Sequence, residues 1–444
     1  MSDSLTEVST ESGPAIASIS VGTKTIQKVP SRIIPFIFVL YIVAFLDRIN
    51  ITFAALTMNK ELAITSQQYG MLTGIFFIGY FLFEIPSNLL LHKVGARLWI
   101  ARILVSWGIV AVLGGFVHGV HQLYGVRFLL GLAEAGFAPG MLLYLTYWFR
   151  QREQAQAVGL YLSGMPIASI LGSPVSGLIL DRVHWLGLSS WRWLLILEGI
   201  PAVACGLLTY FLLPSRPDEA KFLTIDEKEW LQTELAREEQ HKMQRRQFST
   251  LQALTSGRVW QLVAIYFGML TGLYSLNFWA PQLVKSLSRG SSNIFIGFLV
   301  MIPSLVGLAA MILISRRSDR TLERRYHVAI PAITGGVALV LMGSAHSTSL
   351  AVALLSFVAI GVYGFFGPFW ALPRGFLTGF SAAAGLALIN SVGNLAGFVG
   401  PYAIGTISKT TGSLYAGLAL AGAFMFAAAI LVLRLPKSED VLRA

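Results

Sequence analysis

The sequence holds one cysteine, Cys205, in 444 residues, which excludes a disulfide framework and any cysteine-built metal cluster. Charge is scarce too: Asp, Glu, Lys and Arg make up 12% of the chain. A soluble domain carries about 25%, so an ordinary cytosolic enzyme is excluded. Residues 1–29 are polar and run into an apolar stretch that leads on to Asp47 and Arg48, so no cleavable signal is expected. What the chain has instead is apolar surface: 55% hydrophobic residues and a mean hydropathy of +0.67. At roughly 20–25 residues per membrane-crossing helix, this length accommodates twelve spans and one sizeable loop.

Apolar stretches bounded by charge or turn residues predict spans over 33–55, 69–91, 98–117, 121–146, 155–180 and 191–213. A second set is predicted over 259–284, 293–314, 327–345, 348–371, 378–404 and 412–434. The expected organisation is a polar tail (1–32), a six-helix bundle (33–213), a polar linker (214–258), a second bundle (259–434) and a short tail (435–444). The linker carries eight basic and eight acidic residues, and Thr224–Arg237 has helix-forming composition. Net charge is +11, which in a membrane protein suggests cytoplasmic loops before nucleic acid. With both termini placed inside, 25 of the 33 lysines and arginines fall on the inner side, as the positive-inside rule requires.

The two sets repeat. A shift of 227 places Asn50 on Asn277, Lys93 on Arg320, Arg97 on Arg324 and Pro174 on Pro401. Two parallel six-helix repeats describe a rocking transporter with its site at the interface of the halves. The expected fold is therefore an all-α membrane protein of twelve transmembrane helices.

The run N-L-L-L-H-K-V-G-A-R (88–97) and the run S-R-R-S-D-R-T-L-E-R (315–324) resemble the two copies of the major facilitator superfamily loop motif. That resemblance implies gating roles for Lys93, Arg97, Asp319, Arg320 and Arg324. His92 stands at the motif's first aspartate, and Leu322 at a glycine of the second copy. The runs F-L-D-R-I-N (45–50), E-I-P-S-N (84–88), V-G-A-R-L-W-I-A-R (94–102) and G-L-A-E-A-G-F-A-P-G (131–140) resemble the anion:cation symporter family. Within it they are most similar to bacterial tartrate, phthalate and aromatic-acid permeases. The resemblance implies proton-coupled import of organic carboxylates across a bacterial inner membrane.

Ionisable residues inside a span cost about 2.5–3.5 kcal/mol each and mark pathways or relays. The hydropathy reading puts five there: Asp47, Arg48, Glu84, Arg127 and Glu134. All seven histidines map to loops or span ends, so a proton carrier must be a carboxylate. Arg127 and Glu134 are two helical turns apart on one face, which predicts an ion pair that Glu134 leaves on protonation, freeing Arg127 to bind substrate carboxylate beside Arg48. Asp47 and Arg48 diverge by about 100° around helix 1, one facing the cavity and the other helix 4. The planar fork of Arg48 suits a carboxylate. The resemblance implies that same substrate role, with Asp47 as a second protonation site. Glu84 is read as a gate or loop-packing residue.

The second half offers uncharged polar groups: Tyr274, Ser275 and Asn277, then Trp370, then Asn390, Ser391 and Asn394. With Tyr41, Phe45, Phe76 and Tyr80 of the first half, they are candidates to wall the substrate. Helix–helix hydrogen bonding is the competing role for the asparagines. The function read from the sequence is a monomeric, proton-coupled importer of a small organic anion, with membrane lipid and its carboxylate substrate as partners. No cofactor, metal or nucleic acid is expected. A proton-driven exporter of amphiphiles is the alternative. A membrane-embedded enzyme is excluded for want of a nucleophile–base set or metal ligands at one depth.

Overall fold

The computed structural model describes residues 13–244, 254–288, 290–373 and 379–436, without side chains at 13–20, 92, 155, 241–244 and 379–384. The first part of the expected N-terminal tail, linker residues 245–253, Arg289, Arg374 and the tail from 437 lie outside the described residues.

Among the described residues the chain is helical, with no strand. The first half comprises α1 (Gly13–Glu61), α2 (Ser66–Val94), α3 (Ala96–Gly114), α4 (Val120–Glu134), α5 (Phe137–Thr146), α6 (Gln151–Arg182) and α7 (Ser190–Leu212). The linker helix α8 (Ile225–Gln244) follows. The second half comprises α9 (Gly257–Leu287), α10 (Asn293–Thr321), α11 (Arg325–Leu341), α12 (Thr348–Gly364), α13 (Phe366–Ala371), α14 (Gly379–Asn394), α15 (Ala396–Thr411) and α16 (Leu414–Leu433). Helices are the natural solution here, because in hydrocarbon each backbone N–H and C=O must be satisfied within its own segment.

Eleven described segments are long and apolar enough to cross a membrane, and α14 with α15 fills the remaining place as a span broken at Leu395. Large apolar side chains point outward, among them Leu82, Ile85 and Leu89 on α2 and Phe211 on α7. A soluble protein could not tolerate that surface, whereas a lipid-facing one requires it.

The internal repeat is closer in the structure than in the sequence. N-cap Thr65 of α2 and N-cap Ser292 of α10 each accept from the backbone N–H three residues on. Both helices run 29 residues from positions 227 apart (293 − 66), and each ends on a residue with positive φ, Gly95 (94°) and Leu322 (55°). Within the halves α3 packs on α7 and α11 on α16. Between them α2 lies along α15, α6 along α10, and α1 against α9.

Besides the eleventh, two further spans expected as single helices are interrupted. The fourth breaks at Ala135–Gly136, with Gly136 left-handed at φ 83°. A Cβ on Gly136 would also sit 2.3 Å from Ser87 Oγ, so sterics exclude a side chain there twice over. The tenth divides at Phe365. Irregular backbone at membrane depth is tolerated where it lines a cavity or is buried in protein. The break leaves Glu134 on the last turn of α4.

Candidate substrate and proton site

Arg48 on α1 pairs through its Nη2 with Glu134 Oε1 on α4. This corrects the expected Arg127–Glu134 pair. Seven residues span about 10 Å of axis, too far for a comfortable bond along one helix, whereas the adjacent helix brings Arg48 directly to the carboxylate. The Arg127 side chain is buried beside the pair, its Nε and Nη2 without a hydrogen-bond partner. Both guanidinium carbons approach the Phe76 ring, at 5.3 Å for Arg48 and 5.1 Å for Arg127. Arg48 also lies 5.6 Å from the Tyr80 ring.

Asp47 turns away from Arg48 toward α3, where Oδ2 accepts from Trp107 Nε1 at 2.6 Å and Oδ1 from Asn50 Nδ2 at 2.9 Å. The helix-4 partner is thus Arg48, and Asp47 is held in a pocket of neutral donors. Two further ionisable side chains of α7 are buried, Arg192 near its start and Glu198 inside it. Glu198 on α7 is buried, with Oε1 accepting from Ser176 Oγ at 2.7 Å and Oε2 unpartnered. It satisfies the same criterion as the other five, an ionisable residue inside an apolar run, and was legible by it.

The second-half candidates are largely engaged with one another. Tyr274 donates to Asn394 Oδ1 at 2.8 Å, and Asn394 Nδ2 donates to the Asn390 carbonyl at 2.9 Å. Asn390 Nδ2 and Ser391 Oγ donate to the two oxygens of Glu84, at 2.9 and 2.7 Å. Glu84 is therefore a bridge between the halves. Tyr363 donates to Asn277 Oδ1 at 3.4 Å. Tyr41 packs on Tyr161, ring centroids 4.2 Å apart, and partly exposed Trp370 stands edge-on to Tyr266 at 5.1 Å.

The residues carried by the loop motif stand apart from this site. Arg97 donates from Nε to the Leu213 carbonyl at 2.9 Å and pairs with Glu219, tying α3 to the start of the linker. Arg324 binds Asp319 at 2.6 Å, while Lys93 and Arg320 are exposed.

Two repeated helical halves, with Asp47, Arg48, Arg127 and Glu134 gathered beside aromatic rings in the first, define a membrane transporter rather than an enzyme. The chain belongs to the Major Facilitator Superfamily, whose family model matches residues 37–401. It is 45% identical over 416 residues to a protein of Agrobacterium vitis named "Putative tartrate transporter", covering 94% of this chain and 95% of that one. It is 42% identical to a quinolone resistance transporter of Acinetobacter baumannii, covering 88% of this chain and 90% of the relative. In fold it matches the xylose transporter XylE from E. coli in a partially occluded inward-open conformation. The TM-score is 0.75 at 14% identity, over 93% of this chain and 99% of that one.

Proposed function

We propose that this transporter imports a small organic anion together with protons, with both termini in the cytoplasm of a bacterial cell. The observation that carries the reading is the Arg48–Glu134 pair with Arg127 buried beside it, its Nε and Nη2 without a hydrogen-bond partner. With both carboxylates ionised, Asp47, Arg48, Arg127 and Glu134 sum to zero charge. Burying an uncompensated charge costs several kcal/mol, so the neutral set is the resting state. An anion entering alone would leave the site at −1. If Glu134 takes a proton, it releases Arg48, and the incoming carboxylate restores neutrality on the freed fork. Anion and proton thus enter as an electroneutral pair, and protonating Asp47 as well would admit a second negative charge. The name of the 45% identical relative supports an organic acid as substrate.

The test is uptake into proteoliposomes under an imposed pH gradient. Glu134→Gln should abolish uphill accumulation of a carboxylate substrate, while counterflow exchange of preloaded substrate persists because it needs no net proton movement. A Glu134→Gln protein that still concentrates substrate against its gradient would sink the relay. The name of the 42% identical relative favours a second reading, a proton-driven exporter of amphiphilic compounds. Direction decides between them: with a proton gradient imposed, an exporter moves its substrate against the proton flux.

A further inference from the structure

Glu198 of α7 is a buried carboxylate to which the transport cycle above gives no task. Its helix packs on α3, α1 and α6. From α6 comes the Ser176 hydroxyl, which donates to Oε1 at 2.7 Å, while Oε2 has no partner. From α1 comes Asp47, near enough for its charge to act on Glu198. Among the described residues α3 brings no charge to it. There Trp107 commits its indole N–H to Asp47, and the next residue, Gly108, meets α7 so closely that an added Cβ would lie 2.9 Å from the Gly199 carbonyl oxygen. On α7 itself Arg192 is turned elsewhere, to Glu61 at 3.4 Å and the Gly115 carbonyl at 3.2 Å. Glu198 is thus a buried acid with one neutral donor, another acid near it and no cation. A second oxygen of the cluster, Asn50 Oδ1, is likewise buried and unpartnered, although Asn50 Nδ2 donates to Asp47.

We infer that Glu198 holds a proton in the resting transporter and passes it to Asp47, as the outermost station of the proton route. The inference rests on the proton-coupled reading above and adds to it a third proton-carrying residue. Charge balance supports it. Asp47, Arg48, Arg127 and Glu134 already sum to zero, so an ionised Glu198 would leave an unpaired charge in the protein interior. As a neutral acid it keeps the Ser176 bond at Oε1, and Oε2 becomes a donor in a cluster where Asn50 Oδ1 lacks one. Depth supports it as well. Arg192 and Glu61 pair at one level, and Glu198 lies six residues beyond Arg192, about 9 Å of helix, whereas Asp47 lies fourteen before Glu61, about 21 Å. Glu198 therefore stands between that end of the bundle and Asp47, and with the termini in the cytoplasm that end faces outward. The step balances: Glu198–COOH and Asp47–COO⁻ become Glu198–COO⁻ and Asp47–COOH, the proton crossing on water, and a proton from the outer side restores Glu198. An anion arriving at Arg48 drives the transfer, because its negative charge makes the ionised form of Asp47 costlier.

The experiment measures uptake of tartrate and of benzoate into proteoliposomes of the purified full chain as outside pH is varied, beside counterflow of preloaded substrate. Glu198→Gln keeps the shape and the acceptor for Ser176 but carries no proton. Its uphill uptake should fall about tenfold or more while counterflow is unchanged. Glu198→Asp, which can carry a proton, should recover most of the rate. Ser176→Ala withdraws a donor that stabilises the carboxylate, so Glu198 should keep its proton longer and the alkaline fall of uptake should move to higher pH. That variant also decides the matter if Glu198→Gln fails to fold, since an unmoved profile overturns the station. Wild-type uptake by Glu198→Gln overturns it too. So does an equal loss of uptake and counterflow in the Gln and Asp variants, which marks Glu198 as a packing residue. Each of these results leaves Glu134 and the anion site standing. A wild-type protein that accumulates neither anion under the pH gradient overturns the proton-coupled reading and the station together.

Discussion

Arg48 has two claims on its guanidinium, Glu134 in the resting site and the substrate carboxylate in the loaded one. Glu134 engages the fork through Nη2 alone and Arg48 Nε has no hydrogen-bond partner, so an incoming carboxylate meets unused donors on the same planar group. Arg48→Lys keeps the charge but removes that fork. Anion binding to the detergent-solubilised protein should weaken by about 1.5–3 kcal/mol, the worth of a charge-assisted hydrogen bond. Wild-type affinity in a calorimetric titration would mean that Arg48 serves only to hold Glu134. Which residues carry charge into the membrane was legible in the sequence, because any ionisable group in an apolar run stands out. Their pairing was not. The i, i+7 spacing of Arg127 and Glu134 is visible along one chain segment, whereas the Arg48–Glu134 bond depends on how two helices pack. The same holds for Asn390 and Asn394, whose i, i+4 spacing correctly predicted a shared face but not the Glu84 bridge that engages Asn390.

At the scale of the element, the repeat makes one helix end a control for the other. Gly95 and Leu322 occupy equivalent positions after α2 and α10, both with positive φ. Glycine adopts that conformation without strain, while leucine places its Cβ against the following carbonyl at a cost of roughly 1–2 kcal/mol. Leu322→Gly should stabilise the protein by about 0.5–1 kcal/mol once glycine's greater freedom in the unfolded chain is deducted. Thermal unfolding in detergent reads this as a raised melting temperature; no change or a loss would show that the Leu322 side chain compensates by packing. The linker helix supplies a pH-dependent contact. Burial alone would raise the Glu227 carboxyl, but the Lys28 ammonium at 2.8 Å and the Thr224 backbone and hydroxyl outweigh it and hold it below the usual range. A depressed carboxylate contributes stability above its unfolded pKa, about 4.3, and that contribution is lost as pH falls through the folded value. Proteolysis within α8 should therefore quicken only at acid pH in the wild type, and Glu227→Gln should make it fast at neutral pH. Equal rates for the two proteins at pH 7 would mean that α8 is held by its apolar face. Spans and linker helix were legible from hydropathy and composition. The breaks at Gly136, Phe365 and Leu395 were not, because an apolar run reads the same whether its helix is continuous or interrupted.

For the whole molecule, the decisive contacts are those that close one end of the interface between the halves. A Cβ on Gly70 of α2 would lie 2.3 Å from the Pro401 carbonyl oxygen of α15, and one on Gly405 of α15 would lie 2.3 Å from that of Ser66. Across the molecule, a Cβ on Gly177 of α6 would lie 2.4 Å from the Asn293 carbonyl, and one on Gly297 of α10 would lie 2.3 Å from that of Ser173. These are backbone atoms, so no side-chain rotation relieves the clash. Asp181 adds a polar clasp by accepting from the backbone N–H groups of Asn293 (3.1 Å) and Ile294 (2.8 Å) at the start of α10. That arrangement satisfies helix-terminal donors with a negative charge. Nothing in the sequence singled out Gly70, Gly297 and Gly405 among 43 glycines, because the requirement comes from two backbones meeting across the repeat. If the transporter alternates by rocking one half on the other, these contacts must part on each cycle. Gly297→Val should then hold the α6–α10 side apart. Spin labels placed at the α6 and α10 ends near residues 182 and 293 should report a longer, broader distance than in the wild type. Uptake should fall at the same time, because the variant cannot close behind its substrate. A label distance unchanged from wild type, with uptake intact, would show that α6 and α10 repack without opening, and that the closure seen at this end is not a step of transport.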